Sequence, residues 1–94
     1  MITLDEALAI ARRYLRTQFP ESDLVIVGTL ERPIGWGVSY QSRRYVETND
    51  PDDMVFGTGP LLVLRRDGSV VELMTFQSLE DEMRDYARTH GGGF

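Results

Sequence analysis

The stretch "LLVLRRDGSVVELMT", which begins at Leu61, constrains the fold more than any other part of the chain. Successive side chains of a strand point to opposite faces, so Leu61, Leu62, Val63 and Leu64 cannot all share one side. The run from Leu61 to Leu64 is apolar at every position and therefore on both faces, which places it centrally in a sheet. Asp67-Gly68 then supplies a turn, with Gly68 free to take positive φ. Val70 to Met74 returns as the next strand. A sheet organised around this hairpin is the starting point for the rest of the chain.

Two helices flank it. Thr3-Leu4-Asp5-Glu6 has the form of a capping box, in which Thr3 accepts from the Glu6 N–H and Glu6 reaches back to the Thr3 N–H. Leu4, Ala7, Leu8, Ala11, Tyr14 and Leu15 follow as one apolar stripe at helical spacing, with Arg12, Arg13 and Arg16 mostly outside it. Pro20 closes this region, with the helix expected to end after Thr17. Ser78 is the expected cap of a last helix, with Leu79, Met83, Tyr86 and Ala87 inward and Glu80, Asp81, Glu82 and Asp85 on its surface. Gly91 fits the position just past that helix, and the last residues, 91–94, read as a frayed tail.

Between the helices, Leu24, Val25, Ile26 and Val27 form a first strand, and residues 31–35 read as the turn after it. In "GWGVSYQSRRYVETND", Trp36, Val38 and Tyr40 alternate with Gly37, Ser39 and Gln41. That is the pattern of a half-buried strand with Trp36 and Tyr40 in the core. From Glu47 to Pro60 the chain reads as a polar loop, closed by the breakers Gly57-Thr58-Gly59-Pro60. Helix, two strands, loop, two strands and helix, joined by short connections, predict an α+β fold: an antiparallel sheet of about four strands with the N-terminal and C-terminal helices packed on one face. At 94 residues the chain is expected to be a single domain.

Composition narrows the chemistry. The ten basic residues are all Arg, and the formal net charge is −5. An acidic domain suits a basic protein partner and is a poor binder of nucleic acid, whose phosphates need a basic face. There is no Cys, which removes disulfides and thiolate chemistry. No N-terminal signal pattern and no apolar run of bilayer length is visible, so a cytoplasmic protein with no membrane role is expected.

No catalytic set is legible. His90 is the only His and reads as a cation at a helix C-terminus; without Cys or a second His, neither a nucleophilic triad nor an ordinary zinc site can be assembled. Glu47, Asp50, Asp52 and Asp53 lack the spacing and the Gly of a calcium loop and read as a solvated acidic loop. Gly57-Thr58-Gly59-Pro60 precedes a strand, not the helix N-terminus that phosphate loops use. No cofactor and no metal is expected. Arg43-Arg44-Tyr45 has two readings that stand side by side: a polar strand end, or part of an interface, where Arg and Tyr are enriched.

Four segments together resemble the YrhB-type, Imm35-like family of small bacterial proteins: "MITLDEALAIARRYL" as its opening helix, "GWGVSYQSRRYVETND" as its aromatic strand and acidic turn, "GTGPLLVLRRDGSVVELMT" as its Gly-Pro loop and hairpin, and "SLEDEMRDY" as its closing helix. The resemblance spans nearly the whole chain and implies an immunity-protein-like domain of a polymorphic toxin system: a cytoplasmic non-enzyme that binds and neutralises a cognate toxin. When free, the chain is expected to be a monomer or weak homodimer. It supplies no binding motif. The expected partner surface comes from the residues themselves: Arg43, Arg44 and Tyr45 with Glu47, Asp50, Asp52 and Asp53, supported from beneath by Trp36 and Tyr40. Opposite charge would speed capture of a basic toxin. Two other readings compete: a general interaction module, which could pair with itself through a sheet face, and a small-molecule-binding or enzymatic domain with the polar loop over a pocket.

Overall fold

The computed structural model describes residues 2–53, 59–75 and 77–90, with Asp53 described for its backbone alone. The expected breakers Gly57-Thr58 and the expected tail, residues 91–94, lie outside the described residues. Helix α1 (Leu4–Gln18) starts as its capping box dictates: Thr3 Oγ1 accepts the Glu6 N–H at 3.3 Å, and the Glu6 carboxylate accepts the Thr3 N–H at 3.1 Å. The strands are β1 (Leu24–Arg32), β2 (Gly35–Ser42), β3 (Leu61–Leu64) and β4 (Val70–Glu72). They form one antiparallel sheet in the order β1-β2-β3-β4. A short helix α2 (Arg43–Thr48) and a 3-10 turn (Pro51–Asp53) leave the sheet after β2, and helix α3 (Leu79–Thr89) closes the chain. The fold is α+β, as the sequence predicts.

The two long helices lie on opposite faces of the sheet, not on one. Leu61 and Val63 join Ala7, Ala11 and Leu15 of α1, together with Trp36 and Val38, in one core. Leu62 and Leu64 join Met83 of α3 and Leu73 in a second core, with Leu30 and Leu79 packed against it. This is the physical meaning of a strand apolar at every position: both faces need cover, and one helix serves each. All four residues of β3 are buried, and each such side chain contributes about 1.5–3 kcal/mol by leaving water. The same placement makes β2 more than half-buried. Trp36 and Val38 meet α1, while Gly37 is covered by Leu79 and Met83. On α3, Glu82 is buried rather than part of the acidic surface, and its carboxylate accepts a hydrogen bond from Gln77 Nε2 at 3.3 Å.

The first hairpin is longer and tighter than its sequence suggests. β1 continues through Glu31 and Arg32, and the turn is reduced to Pro33-Ile34, because Arg32 pairs directly with Gly35. Arg65 clamps this turn from the neighbouring hairpin. Its backbone N–H donates to the Ile34 carbonyl at 3.0 Å, its guanidinium donates to the Pro33 and Arg32 carbonyls, and it pairs with Glu31 at 2.9 Å. The same guanidinium lies 4.3 Å from the centre of the Trp36 ring, a cation–π contact that covers the indole. Gly68 has φ of 77°, the left-handed conformation its turn requires. Beside it, the Asp67 carboxylate accepts the Ser69 N–H at 2.9 Å, which holds its pKa below the ordinary carboxylate value.

Candidate functional site: the segment after the second strand

The expected partner residues fall on one continuous excursion, but Arg43, Arg44 and Tyr45 are not a strand end. They open α2. Ser42 ends β2 and caps the helix at once, its Oγ accepting the Tyr45 N–H at 3.0 Å. Asn49 stops the helix in the left-handed conformation, with φ of 56° and its N–H on the Tyr45 carbonyl at 2.7 Å. The Asp50 carboxylate then accepts the Asp52 N–H at 3.0 Å and starts the 3-10 turn. The sequence carried these signals: Ser before the helix, Asn after it and Pro two residues further on. Six residues with only Tyr45 and Val46 apolar give no periodicity to add to them.

Within this excursion the charges separate. Arg43 turns back towards the start of β1: its Nε lies 2.8 Å from Asp23 Oδ2, and its backbone N–H donates to the Asp23 carbonyl at 2.8 Å. This exposed ion pair is worth about 0–1 kcal/mol, so it orients α2 more than it stabilises it. Arg44 is exposed, and its carbonyl accepts the Thr48 hydroxyl at 2.7 Å. Tyr45 is half-buried. Glu47, Asp50 and Asp52 are exposed and have no cation at pairing distance among the described residues. The Asp53 side chain lies outside the described residues. Of the two aromatics expected to support this segment, Trp36 is 2% exposed, as expected for core, but it lies at the far end of β2, under Arg65; Tyr40 is half-buried against Phe19, ring centres 6.3 Å apart. The Trp36 ring N–H is buried with no acceptor among the described residues.

Arg43 also lines a groove of about 370 Å³. Its walls are Arg12, Leu15 and Arg16 of α1, Ser22 and Asp23 of the connection, and Leu24, Val25 and Ile26 of β1. Sequence reasoning placed Arg12 and Arg16 merely on the outer side of their helix. Their meeting with an edge strand depends on how α1 folds back over the sheet, which no local pattern encodes. Elsewhere, His90 stacks on Tyr86 at 3.9 Å between ring centres, and its Nδ1 lies 3.0 Å from the Tyr86 carbonyl, as a helix-end residue would. Among the described residues no three potential metal ligands gather at one point. Among them, too, no helix is long and apolar enough to cross a membrane.

This arrangement offers charged, hydrogen-bonding surface on the segment after β2. The family model for immunity protein 35 matches residues 5–85, and the chain belongs to that family. A relative from Escherichia coli (strain K12), the uncharacterised protein YrhB, is 32% identical over 88 residues, covering 92% of this chain and 89% of its own. No solved structure matches the chain significantly.

Proposed function

We propose that this protein is a cytoplasmic immunity protein that binds a cognate toxin domain and neutralises it by protein–protein contact, without catalysis of its own. The observation that carries this reading is membership of the immunity protein 35 family across most of the chain. The surface supports it. Residues 43–53 leave the sheet as a short capped helix and turn with exposed Arg43, Arg44, Glu47, Asp50 and Asp52, and Tyr45 at their base. The three carboxylates of that group meet no neutralising cation among the described residues, and the chain as a whole carries −5. A basic toxin domain would be drawn to this segment and held by side chains already ordered by the Ser42 and Asn49 caps.

The test is a pull-down with this protein as bait from lysate of its source organism, read by mass spectrometry. Recovery of one stoichiometric partner carrying a toxic domain is expected. Binding to that partner is then compared with the triple variant Asp50→Lys, Asp52→Lys, Asp53→Lys. Slower association and a flatter salt dependence are expected of the variant. Unchanged kinetics would remove this segment from the interface, and a bait that captures no dedicated partner would overturn the immunity reading.

A further inference from the structure

The groove beside Arg43 has the form of a site for an extended chain. Leu24, Val25 and Ile26 all line it, although alternate residues of a strand face opposite sides of the sheet. Three consecutive residues share a groove only when it runs along the strand's edge, where the backbone itself is the wall. β1 is a terminal strand of the sheet, and its outer edge has no neighbouring strand among the described residues. Such an edge presents unpaired N–H and C=O groups, which is the surface that strand addition uses. The register irregularity between Ile26 and Gly28 leaves Val27 without an opposite residue and 52% exposed. That bulge limits regular pairing to the stretch before it, so the edge accommodates a short segment and resists open-ended association.

The other wall selects charge. Arg12 and Arg16 stand one helical turn apart, and neither meets a carboxylate among the described residues. Like charges at this spacing repel, so a bound anion would relieve as well as gain. Arg43 lines the same groove, already held by Asp23. Three guanidinium groups against one carboxylate make this a basic lining on an acidic protein.

We propose that this groove binds a short, extended, acidic segment of a partner protein, added as a strand at Leu24, Val25 and Ile26, with its carboxylates on Arg12 and Arg16. Backbone pairing supplies the chain direction, and the guanidinium pair supplies the preference for acid by charge-assisted hydrogen bonds. This site is distinct in sign from the acidic residues of the excursion, and it stands whether or not the partner is a toxin.

The experiment is a titration of the full chain, labelled with nitrogen-15, with a short blocked peptide of alternating Val and Glu. The controls are the same peptide with Lys for Glu, and inorganic phosphate. Saturable shifts confined to the amides of residues 22–26 and the Nε groups of Arg12 and Arg16 are expected. The Lys peptide should bind at least about tenfold more weakly, and so should the acidic peptide to the variant Arg12→Gln, Arg16→Gln, which keeps helix propensity and fold. Equal binding of both peptides, shifts elsewhere, or no saturation would overturn the proposal. Phosphate reproducing the whole shift pattern as tightly would overturn it in favour of a simple anion site. Shifts at residues 24–26 that depend on protein concentration alone would overturn it in favour of a second copy of this chain. None of these outcomes bears on whether the lysate yields a toxin, so the two readings fail separately.

Discussion

A methyl group at position 37 would stand 2.6 Å from the Met83 sulfur, so α3 rests directly on the bare backbone of β2 at Gly37. The Leu79 side chain closes the same spot at 2.8 Å. Gly37→Ala must push two side chains that are packed into a buried core, and overpacking of this kind costs about 1–3 kcal/mol. Met83→Ala leaves a cavity in the same place and costs about 2–5 kcal/mol. The double variant is expected to be less destabilised than the sum, since each change provides what the other lacks. Urea denaturation of the three variants measures this directly. Strict additivity would mean that the contact does not couple the helix to the strand.

Trp36 combines a large buried area with an indole N–H that has no acceptor among the described residues. Trp36→Ala is expected to cost about 3–5 kcal/mol. Trp36→Phe should cost clearly less: it keeps much of the ring under Arg65 and removes a buried donor whose desolvation is worth about 1–3 kcal/mol. Equal losses from the two substitutions, measured by chemical denaturation, would show that a Phe ring recovers none of the packing at this position.

Tyr14 donates its phenolic hydrogen to the Glu72 carboxylate, tying α1 to the edge strand β4. That hydrogen bond, then burial and the Glu72 charge, push the Tyr14 pKa from 10.0 up to about 12. A pKa raised by folding contributes stability that is fully present below 10.0 and is lost as pH rises from there through about 12. Glu72→Gln is expected to bring the Tyr14 titration, followed by ring-carbon NMR, back towards 10.0 and to flatten the alkaline loss of stability. An unchanged midpoint in that variant would show that the hydrogen bond is not formed in solution.

Much of this architecture was legible locally. The capping box at Thr3, the Ser78 cap, the Asp67-Gly68 turn and the alternation through Trp36, Val38 and Tyr40 each depend on residues a few positions apart. The placement of both helices on one face was not correct, although the apolar run of β3 contained the reason. A strand apolar on both faces requires two covers, and Gly37 acquires its meaning only once Met83 is opposite it. The turn read over residues 31–35 contains the observed turn at Pro33-Ile34 but is too wide, for a related reason: Arg65, distant in sequence, holds it shut. Of the expected partner residues, α2 hid because it is shorter than two helical turns, and the Arg12–Arg16 groove because it is made by tertiary juxtaposition.

The chain is expected to unfold as one domain. Both cores share β3, whose alternate residues belong to one or the other, so neither helix can leave without exposing one side of the same strand. Fluorescence of Trp36 in the α1 core and far-ultraviolet dichroism of all helices should therefore give coincident denaturation curves. Two separated transitions would divide the chain into independent units.

The last prediction separates the excursion from its scaffold. Helix α2 has no buried residues, so its formation depends on its ends: the Ser42 hydroxyl on the Tyr45 N–H, and Asn49 in the left-handed conformation. Ser42→Ala removes the first and costs about 0.5–2 kcal/mol, enough to unravel a six-residue helix that cannot sustain itself by propensity. The loss should be local. Amide exchange should accelerate across residues 43–48, while the β3 amides, protected between two cores, keep their rates. If residues 43–53 form the toxin interface, the variant should also bind its partner several-fold more weakly, because those side chains would have to be ordered on binding. Loss of protection throughout the sheet would instead make α2 part of the fold's foundation, and the exposed charges at its surface would be a by-product of that role.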